Sequence, residues 1–407
     1  MCGTGLILMH TKRAPLHIMV AHNSYQMRGG EDAVVDAEVA LLRAHGHRVT
    51  EYRRHNDELQ GISALHAAMD TLWSRRTSRD MDASITATRP DIVHVHNTFP
   101  LISPSLYWAA HRHRVPVVQT LHNFRLLCPQ AMFLREGKVC EDCLGQVPWR
   151  AVQHACYRES RAQSAALGSM LIAHRLAGTW QHRVARYIAL NEFCRNKFIE
   201  GGLPADRIAI KPNFIDFDAP IARPRNGFLF VGRLSPEKGI DVLASAARQS
   251  NGIQIRVAGT GPSRGTLAGI PAIQELGALS VEQVRDEMCG AQALVLPSIW
   301  YENFPRTLVE AFACGLPVIA SRIGALAELV EDGVTGLLFE PGSVEDLLTK
   351  LRWAQSHGEE MNAMGQRARL HYERNFTPEI NFGQLMAIYG DVQQWRSPAI
   401  DLLTHKL

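Results

Sequence analysis

The stretch Phe228–Gly239, FLFVGRLSPEKG, decides how this chain is read. Four apolar residues make a buried strand, Gly232 and Arg233 end it, and Ser235 and Pro236 open a helix over 236–248. Ser is a favoured N-cap and Pro is tolerated in a first turn, so Lys238 should stand beside the strand end where Arg233 emerges. Ligands of open α/β sheets bind outside the carboxyl ends of the strands. Two cations at that point face a bound anion, and a diphosphate is the natural occupant.

Downstream, PSIWYENFPRTLVEAFACG over 297–315 follows another short apolar strand, 293–296. Pro305 should start a helix whose first free amides, on Arg306, Thr307 and Leu308, point outward with the positive end of the dipole. Glu302 lies in the loop and Glu310 inside the helix. Carboxylates so placed can hold hydroxyl groups at two ends of an elongated ligand, such as a nucleotide sugar with a ribose on one side of its diphosphate and a sugar on the other.

Working outward, apolar runs rich in Val and Ile recur at spacings that leave room for one helix between them, the pattern of parallel strands joined by crossovers. In the first half the strands are expected over 16–21, 48–52, 92–96, 115–120 and 187–190, with helices over 33–43 and 104–113. The second series is expected over 228–231, 254–258, 293–296 and 317–320, with helices over 236–248, 281–289, 306–313 and 344–354. Two doubly wound α/β sheets follow. The boundaries are expected at 1–218 and 219–379, with 219–226 as the linker, and 380–407 forms a helical segment that either joins the second core or crosses back to the first.

At 407 residues, 46% hydrophobic and 20% charged, the chain suits two globular domains and excludes disorder and collagen-like structure. Net charge is only +3, yet residues 103–190 carry eleven Lys and Arg against four acids. Such a stretch is either a solvated face or a surface for a phosphate-bearing or membrane partner; no nucleic-acid partner is expected. The opening MCGTGLILMHTKRAP has too short an apolar run for a secretion signal, and no stretch is long enough to span a bilayer. A cytoplasmic location is expected, at most against the inner face of the plasma membrane.

The spacing of Glu302 and Glu310, preceded by Gly232, Arg233 and Lys238, resembles the retaining glycosyltransferases of family 4, which have the two-domain GT-B fold. The resemblance extends to Gly29 and Gly30 after the first strand, His122 in TLHNF, Pro212 and Asn213 ahead of the linker, and residues 259–262. It implies a nucleoside diphosphate sugar as co-substrate, with no further cofactor and no metal. Arg233 and Lys238 would neutralise the diphosphate as it leaves, Glu310 would bind the ribose, and Glu302 and His122 would contact the transferred sugar. Gly29, Gly30, Gly259, Gly261 and the segment Asn303, Phe304, Thr307 and Leu308 would complete the donor site. Family members usually carry Gly at positions 303 and 305, and Pro305 removes one amide donor from that loop.

The implied acceptor is a glycan or polyprenyl-linked glycan in cell-surface polysaccharide synthesis. The alternatives are a GT-B sugar-nucleotide 2-epimerase and a non-catalytic carbohydrate-binding protein. Cys128, Cys140, Cys143 and Cys156 could hold a tetrahedral zinc, but the outer spacings of eleven and twelve residues are not those of a paired knuckle, and no metal is assigned. Leu167, Met170, Leu171 and His174 repeat at helical spacing, which suits the core better than a membrane face. His94 and His96 share a strand face without an evident third ligand.

Overall fold

The computed structural model describes residues 14–26, 29–217 and 223–393. The opening segment weighed as a secretion signal lies almost wholly outside them, as do part of the expected linker and the last fourteen residues. Fourteen strands are described: β1 His17–Ser24, β2 Arg48–His55, β3 Ile92–Asn97, β4 Val117–Thr120, β5 Leu134–Arg135, β6 Lys138–Val139, β7 Arg186–Ala189, β8 Ile208–Ile210, β9 Phe228–Val231, β10 Ile255–Ala258, β11 Ile273–Gly277, β12 Ala293–Leu296, β13 Val318–Ser321 and β14 Gly336–Phe339. Twelve make two six-stranded parallel sheets, ordered β2-β1-β3-β4-β7-β8 and β11-β10-β9-β12-β13-β14. β5 and β6 form a separate antiparallel hairpin.

Both sheets reverse direction beside their first strand. β1 lies between β2 and β3, and β9 between β10 and β12, so the loops that leave neighbouring strands at those points splay to opposite faces and open a crevice. In the second sheet these are the loops after β9 and β12, which carry the two motifs read above. Each sheet is buried on both faces, which explains the unbroken apolar strands LVL, VIA and FLF.

Helices Val281–Cys289 and Arg306–Ala313 stand where the periodicity placed them. The helix expected over 236–248 is broken: Pro236–Lys238 is one 3-10 turn, Gly239 is left-handed at φ 71°, and the helix proper is Ile240–Arg248. Ser235 caps nothing, its hydroxyl donating instead to Glu237. Strands β8, β11 and β14 were not read from sequence.

Helix Pro378–Gln393 crosses back to the first sheet, where Leu385, Ile388, Tyr389 and Val392 pack on Ile18, Val20, Val35 and Val39. In helix Arg161–Leu176, Leu167, Met170 and Leu171 are core, and buried His174 bonds Thr179 and the Leu72 carbonyl. Much of the basic stretch is spent internally: Arg112 pairs with Asp82, Arg135 and Arg150 with Asp142, while Arg125 and Arg175 donate to backbone carbonyls. No described helix is long and apolar enough to cross a membrane.

Candidate active site

The geometry of the second sheet's crevice starts from Gly239. A Cβ there would stand 1.8 Å from the Pro297 carbonyl oxygen, so only glycine lets the β9 loop close on the β12 loop. The Ile299 amide then donates to the Glu237 carbonyl at 3.0 Å. This contact carries Lys238 Nζ to 2.6 Å from Glu302 Oε1, an oxygen that also accepts from Ser298 Oγ at 2.7 Å. Lys238 lies 5.6 Å from the centre of the Trp300 ring. Arg233 is exposed and its guanidinium has no partner among the described residues. Gly259 and Gly261 are close-packing positions: a Cβ on either would strike the Gly232 or Leu234 carbonyl, at 1.9 and 2.2 Å. Their loop therefore backs the Arg233 turn.

At the tip of helix Arg306–Ala313 the amides of Phe304, Arg306 and Thr307 donate to nothing among the described residues. The expectation for Leu308 needs correction, because its amide bonds the Pro305 carbonyl at 3.1 Å and closes the first turn. Phe304 turns its ring into the core against Phe376. Glu310 bonds Arg306 Nε at 3.1 Å, and its carboxyl is raised by burial against the pull of Arg306. A largely enclosed carboxyl that already holds one cation suits hydroxyl partners better than a second cation.

Asn303 also departs from expectation. Its side chain is committed across the cleft, Nδ2 to the Leu121 carbonyl at 2.8 Å and Oδ1 to the Cys194 thiol at 2.6 Å, while its carbonyl accepts from Asn191. Only its amide stays available to a ligand. Leu121 precedes His122 and Asn303 follows Glu302, so one hydrogen bond fixes the separation of the two cleft faces at the expected site of transfer. A second clasp seats Glu328 on the amides of Glu192 and Phe193, at the start of helix Glu192–Glu200.

On the first sheet His122 ends a chain of buried polar groups. His122 Nε2 lies 2.9 Å from His96 Nδ1, His96 Nε2 is 3.3 Å from Glu38 Oε1, and Glu38 Oε2 accepts from Lys211 Nζ at 2.9 Å. Glu38 also meets His94 Nδ1, at 3.0 Å, and Asn381 of the returning helix completes the lysine's shell. Burial works against the Glu38 carboxylate, but Lys211 and His94 hold its pKa well below the usual range. Burial and neighbouring His94 lower His96 to about 3, and burial with His96 lowers His122, so both rings are neutral at pH 7.

A neutral ring has one N–H, which fixes the tautomers. The Glu38 carboxylate favours the His96 proton on Nε2 through a 3.3 Å charge contact that leaves both atoms without a hydrogen bond, and Nδ1 is then the acceptor. His122 must then donate from Nε2, which leaves its Nδ1 as an acceptor for a hydroxyl. Glu38, His94 and His96 bring ligand atoms within 4.8 Å of one another, the third ligand that the sequence did not reveal. Lys211 already supplies the positive charge on that carboxylate, so a dication there would face an ammonium in a buried pocket, and the set does not suit a metal.

Gly29 caps helix Gly30–Ala44, with its amide on Asp32 Oδ2 at 2.8 Å, and a Cβ on Gly30 would meet nothing within 4 Å. Neighbouring Glu31 went unnoticed in the sequence. It accepts from Tyr25 and from Asn123, next to His122, and burial pushes its carboxyl up to about 7.

Residues 28–219 match the family described as Glycosyltransferase Family 4, and residues 213–371 match Glycosyl transferases group 1. The chain belongs to the family 4, group 1 glycosyltransferases. It is similar to the sulfoquinovosyl transferase SQD2 of Arabidopsis thaliana, 26% identical over 72% of this chain and 55% of that one. A D-inositol 3-phosphate glycosyltransferase of Mycobacteroides abscessus is 31% identical over 42% of this chain and 40% of its own length. The matches thus span about half the length of these curated relatives. In fold, this family 4 chain is like Anabaena HepE solved with UDP-glucose (TM-score 0.65, 17% identity, 92% of this chain and 100% of that one). It is equally like the sucrose-phosphate synthase of Thermosynechococcus elongatus (0.67, 17%, 92% and 98%). The shared architecture is the GT-B fold.

Proposed function

We propose that this chain transfers a sugar from a nucleoside diphosphate sugar to a glycan or polyprenyl-linked acceptor, with retention at the anomeric carbon. The observation that carries the reading is the convergence on one crevice of Lys238 and Glu302, the unpartnered Arg233 and the open helix tip at Arg306 and Thr307. The diphosphate lies on that tip between Arg233 and Lys238, and Glu310 holds the ribose. The amides of Asn303, Phe304 and Thr307, with that of Gly30, complete the grip; Gly29, whose own amide is held by Asp32, only lets the backbone come close, and the turn at Gly259 and Gly261 supports the site. Glu302, kept in place by Lys238 and Ser298, accepts from hydroxyls of the transferred sugar, and His122 Nδ1 accepts from another.

The acceptor oxygen attacks the anomeric carbon on the face from which the phosphate leaves. As the carbon–phosphate oxygen bond breaks, the acceptor's proton passes to that leaving oxygen. Arg233 and Lys238 stabilise the charge that grows on the diphosphate, the electrostatic contribution that usually weighs most in such catalysis.

For the acceptor, the support is an apolar groove of about 570 Å³ between helices Ala64–Leu72 and Arg161–Leu176. Phe99 lines both this groove and the small pocket that contains His96 and His122. A lipid tail in the groove puts its head group towards His122. Exposed Leu65 in its lining and exposed Met69 on the same helix suit contact with an inner membrane surface. This apolar border now supports membrane contact better than the basic stretch does.

Donor and acceptor are tested together by NMR of the product. An α-linked donor should give an α-linked glycoside on an amphiphilic acceptor and no change when incubated alone. Isomerised donor without acceptor would establish the epimerase instead, and an inverted product would overturn the retaining assignment.

A further inference from the structure

We propose that Cys128, Cys140, Cys143 and Cys156 form a tetrathiolate site for one structural zinc ion, which fixes the segment that braces the donor loop. The four thiols are unpaired and line one cavity of about 10 Å³, room for a single ion. They come from four points in the chain. Cys128 follows the turn that ends at Leu127, Cys140 leaves the β5–β6 hairpin with its amide on the Phe133 carbonyl, Cys143 closes the two-residue spacing typical of a zinc chelate, and Cys156 folds back with its amide on the Ala151 carbonyl. The irregular outer spacings that counted against a knuckle in the sequence are thus spanned by a hairpin and a short helix.

The backbone needs such a tie. Ala131, Phe133, Glu136, Ala155, Arg158 and Glu159 are all left-handed, six of the nine described non-glycine residues with positive φ. The regular structure between them is a two-residue hairpin and the five-residue helix Trp149–Gln153. A zinc tetrathiolate carries two negative charges, and Arg135 and Arg150 line the same cavity, offset in part by Asp142, which pairs with both. Thiols bind zinc as thiolates, so binding would release protons. No three of the four sulfurs lie within 4.8 Å of one another, so zinc binding would have to draw them inward.

The segment touches the donor side. Phe133 packs on Tyr301 with ring centres 6.1 Å apart, and Glu141 pairs with Lys197 at 3.0 Å beside the same tyrosine. Tyr301 precedes Glu302, so a rigid metal segment holds the loop that carries the donor carboxylate. The inference stands apart from the transferase reading, because metal content is measured without any substrate.

The test is elemental analysis and thiol titration of the full chain, expressed in zinc-supplemented medium and purified without chelator. One zinc per chain is expected, with four thiols protected until the metal is stripped. Cobalt in its place should show the intense visible bands of a tetrahedral tetrathiolate. Cys143→Ser should lower zinc affinity at least about tenfold, and Cys289→Ser, outside the cluster, should leave it unchanged. Should Cys143→Ser fail to fold, the cobalt spectrum of the unaltered protein decides. Less than about a tenth of an equivalent of zinc, an octahedral cobalt spectrum, or a disulfide within the four would overturn the proposal.

Discussion

The two faces of the cleft spend charge in opposite ways. On the second sheet Arg233 is exposed and unpaired among the described residues, while half-buried Lys238 meets Glu302 in the loop that follows β12. On the first, Glu38 and Lys211 are 2% and 1% exposed and come from positions 173 residues apart. An exposed cation contributes little to folding and is free to meet a ligand, whereas a buried ion pair is part of the fold and acts on a ligand only through what it orients. The comparison predicts a division of effects: donor-side substitutions should cost activity, and hub substitutions stability.

The largest effect is expected at the hub. Glu38→Gln or Lys211→Met leaves a buried partner unpaired and should cost about 3–5 kcal/mol in urea unfolding. Equal loss from Lys238→Ala would erase the contrast. Next, Arg233→Ala and Lys238→Ala should lower kcat/KM by about 10²–10³-fold, as loss of a transition-state charge contact does, while unfolding of the exposed-site variant Arg233→Ala stays within about 0.5 kcal/mol.

The pH dependence sharpens the same contrast. His96 is held down to about 3 in the fold, against 6.5 unfolded, so the unfolded chain binds the extra proton and stability falls as pH drops below 6.5. From there to about pH 5 one such group removes about 2 kcal/mol, and His96→Gln should flatten the slope. Glu31 works the other way: with its folded pKa raised to about 7, its protonated form favours the fold, and that stability is lost as pH rises through about 7. The smallest effect is expected at the clasp, where Asn303→Ala should raise donor KM several-fold and cost about 1 kcal/mol.

Legibility in the sequence divides along the same line. β9, β12 and helix Arg306–Ala313 were readable because a short buried strand, a glycine or proline, and an amphipathic helix follow one another within twenty residues. The hub was not, because its members are joined only by the tertiary fold. Its one local signal is Glu38, a carboxylate within the buried stripe of Val34, Val35, Val39 and Leu42, which requires a cation from elsewhere. β8 and β14 are edge strands of three and four residues, and β11 is half-exposed, too short or too mixed to show a period. Asn303 could not be read as a clasp, since its partners Leu121 and Cys194 are distant in sequence, and the fate of the Leu308 amide turned on whether Pro305 stood inside the helix or capped it.

The central claim, that the β9 and β12 loops grip a pyrophosphate, is tested most directly by thermal shift with UDP, GDP, ADP and TDP sugars on the unaltered chain and on Arg233→Ala. At about one hundred times its dissociation constant the true donor should stabilise the unaltered chain by about 2.7 kcal/mol and the variant far less. If no nucleotide sugar stabilises the protein, or one stabilises both proteins equally, the grip assigned to Arg233, Lys238 and the helix tip is contradicted.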